Sequence, residues 1–210
     1  DIIQVTDIIY SYLYDVRKIA SIFFLVIFSC SKEPGPGFAF NRFSTPDDQN
    51  KYKDWKHYLG DPGRSHYSQL SEFTPKNIQS LKIAWEYEGR DYGQMQMNPI
   101  IIDTLLYGVS PSSRAIALDA RSGREIWVFG DTLKTWYSTN RGVSYWEMGG
   151  DKRIFYTRGP DLWALNAVTG QPVTSFGKNG KIDLRSGLPK SAQKKFVVSS
   201  TPGTIFKNLI

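Results

Sequence analysis

The sequence predicts an all-β fold assembled from repeated units of four short strands. Three observations carry that expectation. The 210-residue chain is rich in aromatic side chains, with 6 Trp, 12 Tyr and 12 Phe, which suit a pleated, half-buried surface. It also holds 18 Gly and 11 Pro, the residues that punctuate short strands with turns. Third, ALDARSG at residues 117–123 returns as ALNAVTG at residues 164–170, an interval of 47 residues. A period of roughly 40 to 50 residues is that of one four-stranded blade of a β-propeller.

The elements follow in order. Residues 19–28 (IASIFFLVIF) form an apolar run preceded by Arg17 and Lys18 and followed by Ser29 and Cys30. A basic end, a short apolar stretch and a small residue at the break describe a secretory signal. The run is too short to span a bilayer comfortably. A Cys directly after a small residue resembles the bacterial lipoprotein signal, so residues 1–30 are expected to be a signal and anchor segment with Cys30 acylated. The chain does not begin with Met, and it is expected to be part of a longer protein. Residues 31–51, rich in Pro, Gly and polar side chains and without apolar periodicity, are expected to be a tether. Residues 52–210 are expected to be the folded domain.

Within that domain, Thr74-Pro75 is a helix-start signal, because Thr can cap a first turn and Pro suits its first position. A short helix is expected over residues 75–81. The alternating KIAWEY at residues 82–87 reads as a strand. Two strands are expected around Asp103-Thr104, a third at residues 115–120, and a fourth at residues 124–129 after the turn at Gly123. The pattern is repeated by KRIFYTRG, DLWALNA and QPVTSF, with Gly170 at the equivalent turn. Asp119 and Asn166 can bond the turn backbone, and the glycines can take a left-handed conformation without a Cβ penalty. Trp127 is placed to lie against the neighbouring blade. The last residues, FVVSSTPGTIFKNLI, read as two strands of a third blade. Blades bury their faces only against neighbours, so two or three cannot close a ring.

Charge and cysteine content exclude some classes. The net charge of +6 invites a nucleic-acid reading, yet Lys and Arg are scattered among acidic residues, with no basic stripe and no RNA-binding aromatic motif. With 1 Cys there is no intramolecular disulfide. No His/Cys cluster has zinc-ligand spacing.

The repeat ALDARSGREIW resembles the docking motif of the pyrroloquinoline quinone (PQQ)-dependent dehydrogenases, an eight-bladed propeller family of the tryptophan-docking type. Further segments resemble the same family in the same order: residues 54–87, residues 97–129, STNRGVSYWE at residues 138–147, and RIFYTRGPDLWALNAVTG at residues 153–170. The combination is closest to the membrane-associated glucose, quinate and shikimate branch. The resemblance implies the first two to three blades of such a propeller.

It also implies a site. Arg141, in the Asn-Arg-Gly segment, matches the residue that pairs with a PQQ carboxylate, a task that suits a forked guanidinium. Thr157 matches a position whose hydroxyl bonds another cofactor oxygen. Gln96 stands where many relatives place a glutamate, and its amide can both donate and accept. Ser112 stands where some sugar-oxidising relatives carry a histidine. Ser200 and Thr201 are weaker pocket candidates, and His57 and His66 are read as turn and packing residues. The resemblance places the catalytic Asp and the Ca²⁺ ligands beyond Ile210, so these residues alone are expected to be inactive. It implies oxidation of sugars, cyclic polyols or alcohols at the periplasmic side of a bacterial envelope, with electrons passed to a quinone or a cytochrome c. The rival expectation is a non-catalytic propeller lipoprotein that assists outer-membrane protein assembly.

Overall fold

The computed structural model describes residues 54–131 and 139–210. Cys30, the apolar run at residues 19–28 and the tether lie outside them. Eight strands form two sheets: β1 (Ile100–Ile102), β2 (Leu105–Val109), β3 (Ala115–Asp119) and β4 (Glu125–Phe129) make the first, and β5 (Ser144–Met148), β6 (Asp151–Arg158), β7 (Asp161–Asn166) and β8 (Lys181–Asp183) the second. Each sheet is an antiparallel meander in chain order. Two successive meanders of four strands are two propeller blades, as the 47-residue interval predicts.

Short-range chemistry sets each turn. Asp103-Thr104 closes β1 onto β2, pairing Ile102 with Leu105. Between β3 and β4, the Asp119 carboxylate accepts from the Arg121 and Ser122 backbone N–H groups, both at 3.0 Å. In the second blade the Asn166 side-chain oxygen accepts from Val168 and Thr169 at 3.0 and 2.9 Å. The two turns are the same device, and both end on a glycine with positive φ, Gly123 at 70° and Gly170 at 71°.

What those glycines make room for is an indole. A methyl on Gly170 would sit 2.5 Å from Trp127 Cδ2, and one on Gly123 would sit 2.4 Å from Trp85 Cε3. Trp127 Nε1 donates to the Ala167 carbonyl at 2.9 Å, and Trp85 Nε1 donates to the Ala120 carbonyl at 3.1 Å. Each tryptophan thus lies over the Asx turn of the unit that follows it. Trp127 is 8% exposed, so it removes on the order of 200 Å² from water, about 5 kcal/mol before entropy is counted. The core runs through the seam between the blades, with Ile100, Tyr107, Ala117 and Trp127 on one side and Val143, Ile154, Tyr156 and Leu165 on the other. Phe129 extends it, 5.0 Å from the Trp163 ring.

Four expectations are corrected. The helix over residues 75–81 is a three-residue 3-10 turn, Ile78–Ser80. Thr74 does not cap it; the Asn77 side chain accepts from the Thr74 backbone N–H at 2.6 Å instead. Residues 82–87 form no strand, and Ile83 is 77% exposed: β-propensity is not enough without a ladder partner. QPVTSF does not supply the fourth strand of the second blade. Pro172, which has no N–H for a ladder, makes one isolated bridge to Leu165; the chain then turns, and β8 takes the edge place beside β7. The third-blade strands are likewise not formed. Residues 196–210 run past the second blade as irregular chain with one bridge, Phe206 to Leu209, because no neighbouring strand pairs with them.

Candidate functional site

The starts of β1 and β5, the β2–β3 turn and the end of β6 meet at one edge of the two blades. The residues there are knitted together by backbone hydrogen bonds. Asn98 N–H donates to the Arg141 carbonyl at 2.9 Å, and Arg141 N–H donates to the Ser200 carbonyl at 2.8 Å. The segments that lead into successive blades therefore lie side by side, with Arg141 in the middle. Gly142 allows the approach, since a methyl there would come within 2.7 Å of the Asn98 carbonyl oxygen. Asn140 locks the segment from the other direction. Its side-chain nitrogen donates to the Thr157 carbonyl at 2.6 Å, and its oxygen accepts from Gly142 N–H at 3.0 Å.

Arg141 thus has a backbone pinned on both sides and an exposed side chain. None of the ion pairs among the described residues uses its guanidinium, in contrast to Arg114, Arg153, Arg158 and Arg185, which each hold a carboxylate. A cleft of about 220 Å³ opens at the preceding residue, Asn140, and is lined also by Gln94, Met95, Gln96, Ser110 and Pro111, among others. Gln96 lines that cleft and is exposed.

Thr157 stands near the end of β6, its carbonyl accepting from the Asn140 side chain. Its hydroxyl, however, donates to the Ser199 carbonyl at 2.6 Å. In this arrangement its proton ties the 199–201 segment to the second blade, leaving only the lone pairs to face a ligand. Ser200 and Thr201 are half-buried; Ser200 serves Arg141 through its carbonyl, and the Thr201 carbonyl accepts from the Ser199 hydroxyl at 3.1 Å. Ser112 is half-buried in the β2–β3 turn, its N–H donating to Asp91.

The histidines lie apart. His57 lines a separate pocket of about 50 Å³ with Tyr58, Asp61 and Tyr145, and burial pushes its pKa below the ordinary imidazole value. His66 occupies a turn with φ of 57°. Sequence reasoning missed Asn140 and Ser199 as the residues that hold the site together. Asn140 acts through its side chain on backbone groups and Ser199 through its carbonyl, contacts that leave no spacing pattern to find.

Residues 55–210 match the family described as PQQ: Glucose/ethanol/alcohol dehydrogenase, beta-propeller domain. The chain is similar to the quinate/shikimate dehydrogenase (quinone) of Acinetobacter baylyi, at 28% identity over 74% of this chain and 23% of that protein. It is also similar to the quinoprotein glucose dehydrogenase of Escherichia coli, at 28% identity over 75% of this chain and 23% of the relative. Among solved structures, the quinohemoprotein alcohol dehydrogenase from Comamonas testosteroni superposes with a TM-score of 0.64 and 22% identity, over 76% of this chain and 23% of that one. That likeness supports the fold. The chain spans about a quarter of the length of the relatives it matches. Repeat, docking geometry and the match over residues 55–210 agree: the chain belongs to the β-propeller domain family of the PQQ-dependent glucose, ethanol and alcohol dehydrogenases.

Proposed function

We propose that the intact protein is a PQQ-dependent dehydrogenase that oxidises CH–OH groups of sugars, cyclic polyols or alcohols, and that these residues form one wall of its cofactor pocket. The observation that carries the reading is Arg141, an exposed cation on a doubly pinned backbone, next in the chain to the cleft-lining Asn140 and paired with no carboxylate of the described residues. PQQ is a flat ortho-quinone with three carboxylates, and such a guanidinium fits one of them bidentately. The Gln96 amide on the cleft wall suits a second polar edge, since it both donates and accepts. Asn140 contributes by fixing the Arg141 segment to β6. Thr157 contributes a hydroxyl whose acceptor lone pairs remain open.

The bound quinone would supply the two-electron acceptor, while the protein supplies orientation and charge. We place the catalytic base and the Ca²⁺ ligands on other blades. Electrons would leave to a quinone or a cytochrome c. The apolar run and Cys30 support export and a lipid anchor on the periplasmic side of a bacterial envelope, with residues 1–30 as anchor, 31–51 as tether and 52–210 as propeller. The quinate/shikimate and glucose relatives favour cyclic polyols and aldoses as the substrate class. Reconstituted with PQQ and Ca²⁺, the intact protein should reduce an artificial electron acceptor when given such substrates. No reduction with any of them, together with an unchanged PQQ absorbance, would overturn the proposal.

A further inference from the structure

The turn that joins β2 to β3 is wound around one carboxylate that comes from outside the sheet. The Asp91 side chain is 3% exposed and that of Arg114 is 7% exposed, the most deeply buried ion pair among the described residues. Arg114 Nη2 donates to Asp91 Oδ1 at 2.8 Å. Ser110 Oγ and the Ser112 N–H donate to Asp91 Oδ2 at 2.5 and 2.9 Å. Ser110 Oγ in turn accepts from the Arg114 N–H at 3.2 Å. The turn is closed by Ser110 N–H to the Arg114 carbonyl and by Ser113 N–H to the Ser110 carbonyl, each at 2.9 Å.

Stability does not explain such a pair. Well-packed apolar residues in place of a buried ion pair are often as stable or more so, and what the pair provides is a defined geometry. Here the geometry concerns the cleft. Asp91 opens the run that brings Gln94, Met95 and Gln96 to the cleft, and Ser110 and Pro111 bring the β2–β3 turn to it. The two runs touch: Pro111 Cβ lies 3.2 Å from the place of a methyl on Gly93. One carboxylate therefore holds both runs.

We propose that Asp91 and Arg114 form a positioning clamp that sets the gap between Gln96 and the Ser110–Ser112 turn, and with it the fit of a flat, carboxylate-bearing quinone. This rests on the reading that the cleft belongs to a PQQ pocket. Neither residue is catalytic; both act through the walls they hold. Misplacing a positioning group by about 1 Å can cost roughly 100-fold in rate, and the loss of a preorganised wall weakens binding of a rigid ligand for the same geometric reason.

The test is a PQQ titration of the intact protein, followed by quenching of its tryptophan fluorescence, with thermal unfolding of the apo form measured alongside. The double variant Asp91→Leu/Arg114→Met removes the clamp without stranding a buried charge. It leaves the Ser110 hydroxyl and the Ser112 N–H without their acceptor, so it should unfold somewhat below the wild-type temperature, and it should bind PQQ roughly 10- to 100-fold more weakly. Wild-type affinity in the double variant overturns the clamp while leaving the cofactor reading intact. If the wild type itself takes up no PQQ, the cofactor reading falls and the clamp with it. Should the double variant fail to fold, Asp91→Asn decides, because it keeps the side-chain size but leaves one accepting oxygen where two now hold Arg114 and the Ser110–Ser112 turn: unchanged PQQ affinity overturns the proposal, and a loss of about 10-fold or more supports it.

Discussion

Replacing Gly170 by Ala should destabilise the protein for a reason specific to the blade seam. Two effects add at this position. The residue has φ of 71°, a conformation that costs an L-residue about 1 kcal/mol. The added methyl would also meet Trp127 Cδ2 at 2.5 Å and Cε3 at 2.7 Å, about 1 Å inside ordinary carbon contact. The indole cannot simply retreat, because Nε1 is bonded to the Ala167 carbonyl and its ring lies 6.0 Å from Tyr107. Overpacking of that kind costs about 1–3 kcal/mol, so the total is about 2–4 kcal/mol. That is a large share of the roughly 5–15 kcal/mol that holds a folded domain. Gly187→Ala is the control: φ there is 82°, but nothing lies within 4 Å of the added methyl. It should cost only the conformational part, about 1 kcal/mol. Urea unfolding of the intact protein measures the difference, and Gly123→Ala beneath Trp85 should behave as Gly170→Ala does. If Gly170→Ala and Gly187→Ala agree within about 0.5 kcal/mol, the docked indole does not hold the seam and the reasoning fails.

Three further outcomes are expected. Burial alone would raise the Asp91 pKa, but hydrogen bonds from Arg114, Ser110 and Ser112 outweigh it and hold the carboxyl at about 2. A group depressed on folding stabilises above its unfolded pKa, so about 2–3 kcal/mol is fully present above roughly pH 5 and is lost as pH falls from about 4 to 2; Asp91→Asn should flatten that part of an acid-unfolding curve, and a curve as steep as the wild type would contradict it. Tyr107→Phe removes a 3.1 Å bond to the Ala167 carbonyl but leaves that carbonyl bonded to Trp127, so unfolding free energy should fall by only about 0.5–1.5 kcal/mol, and a loss above about 3 kcal/mol would show that the two donors do not share the acceptor as described. Cys30→Ser should abolish incorporation of radiolabelled palmitate and release the protein from the membrane fraction, whereas labelling that persists would refute the anchor.

The parts of the fold that were legible in the sequence are those governed by neighbours along the chain. Asp119 and Asn166 each bond N–H groups two and three residues on, and Gly123 and Gly170 follow four residues after them, so the turns and the strands they join are local chemistry. The errors fall where a partner from elsewhere decides. Residues 82–87 have strand composition and no ladder partner, and residues 196–210 lie along the second blade without pairing. Pro172 shows the opposite case, a local property that moved the edge strand on to Lys181–Asp183. Arg141 was singled out because Asn-Arg-Gly is a contiguous motif, and its cofactor role is the proposal made above. Asp91 and Arg114 were not, since they lie 23 residues apart and meet only once β2 and β3 are paired. The bond from the Thr157 hydroxyl to Ser199, 42 residues away, had no sequence signature.

The most direct test of the central claim is the PQQ affinity of Arg141→Ala in the intact protein, set against Arg141→Lys. A bidentate, charge-assisted pair is worth about 1.5–3 kcal/mol, so Arg141→Ala should weaken PQQ binding roughly 10- to 150-fold, and Arg141→Lys should recover only part of the loss. The Arg141 side chain holds no ion pair among the described residues, so the apo protein should unfold at the wild-type temperature. PQQ binding by Arg141→Ala as tight as that of the wild type would contradict the account.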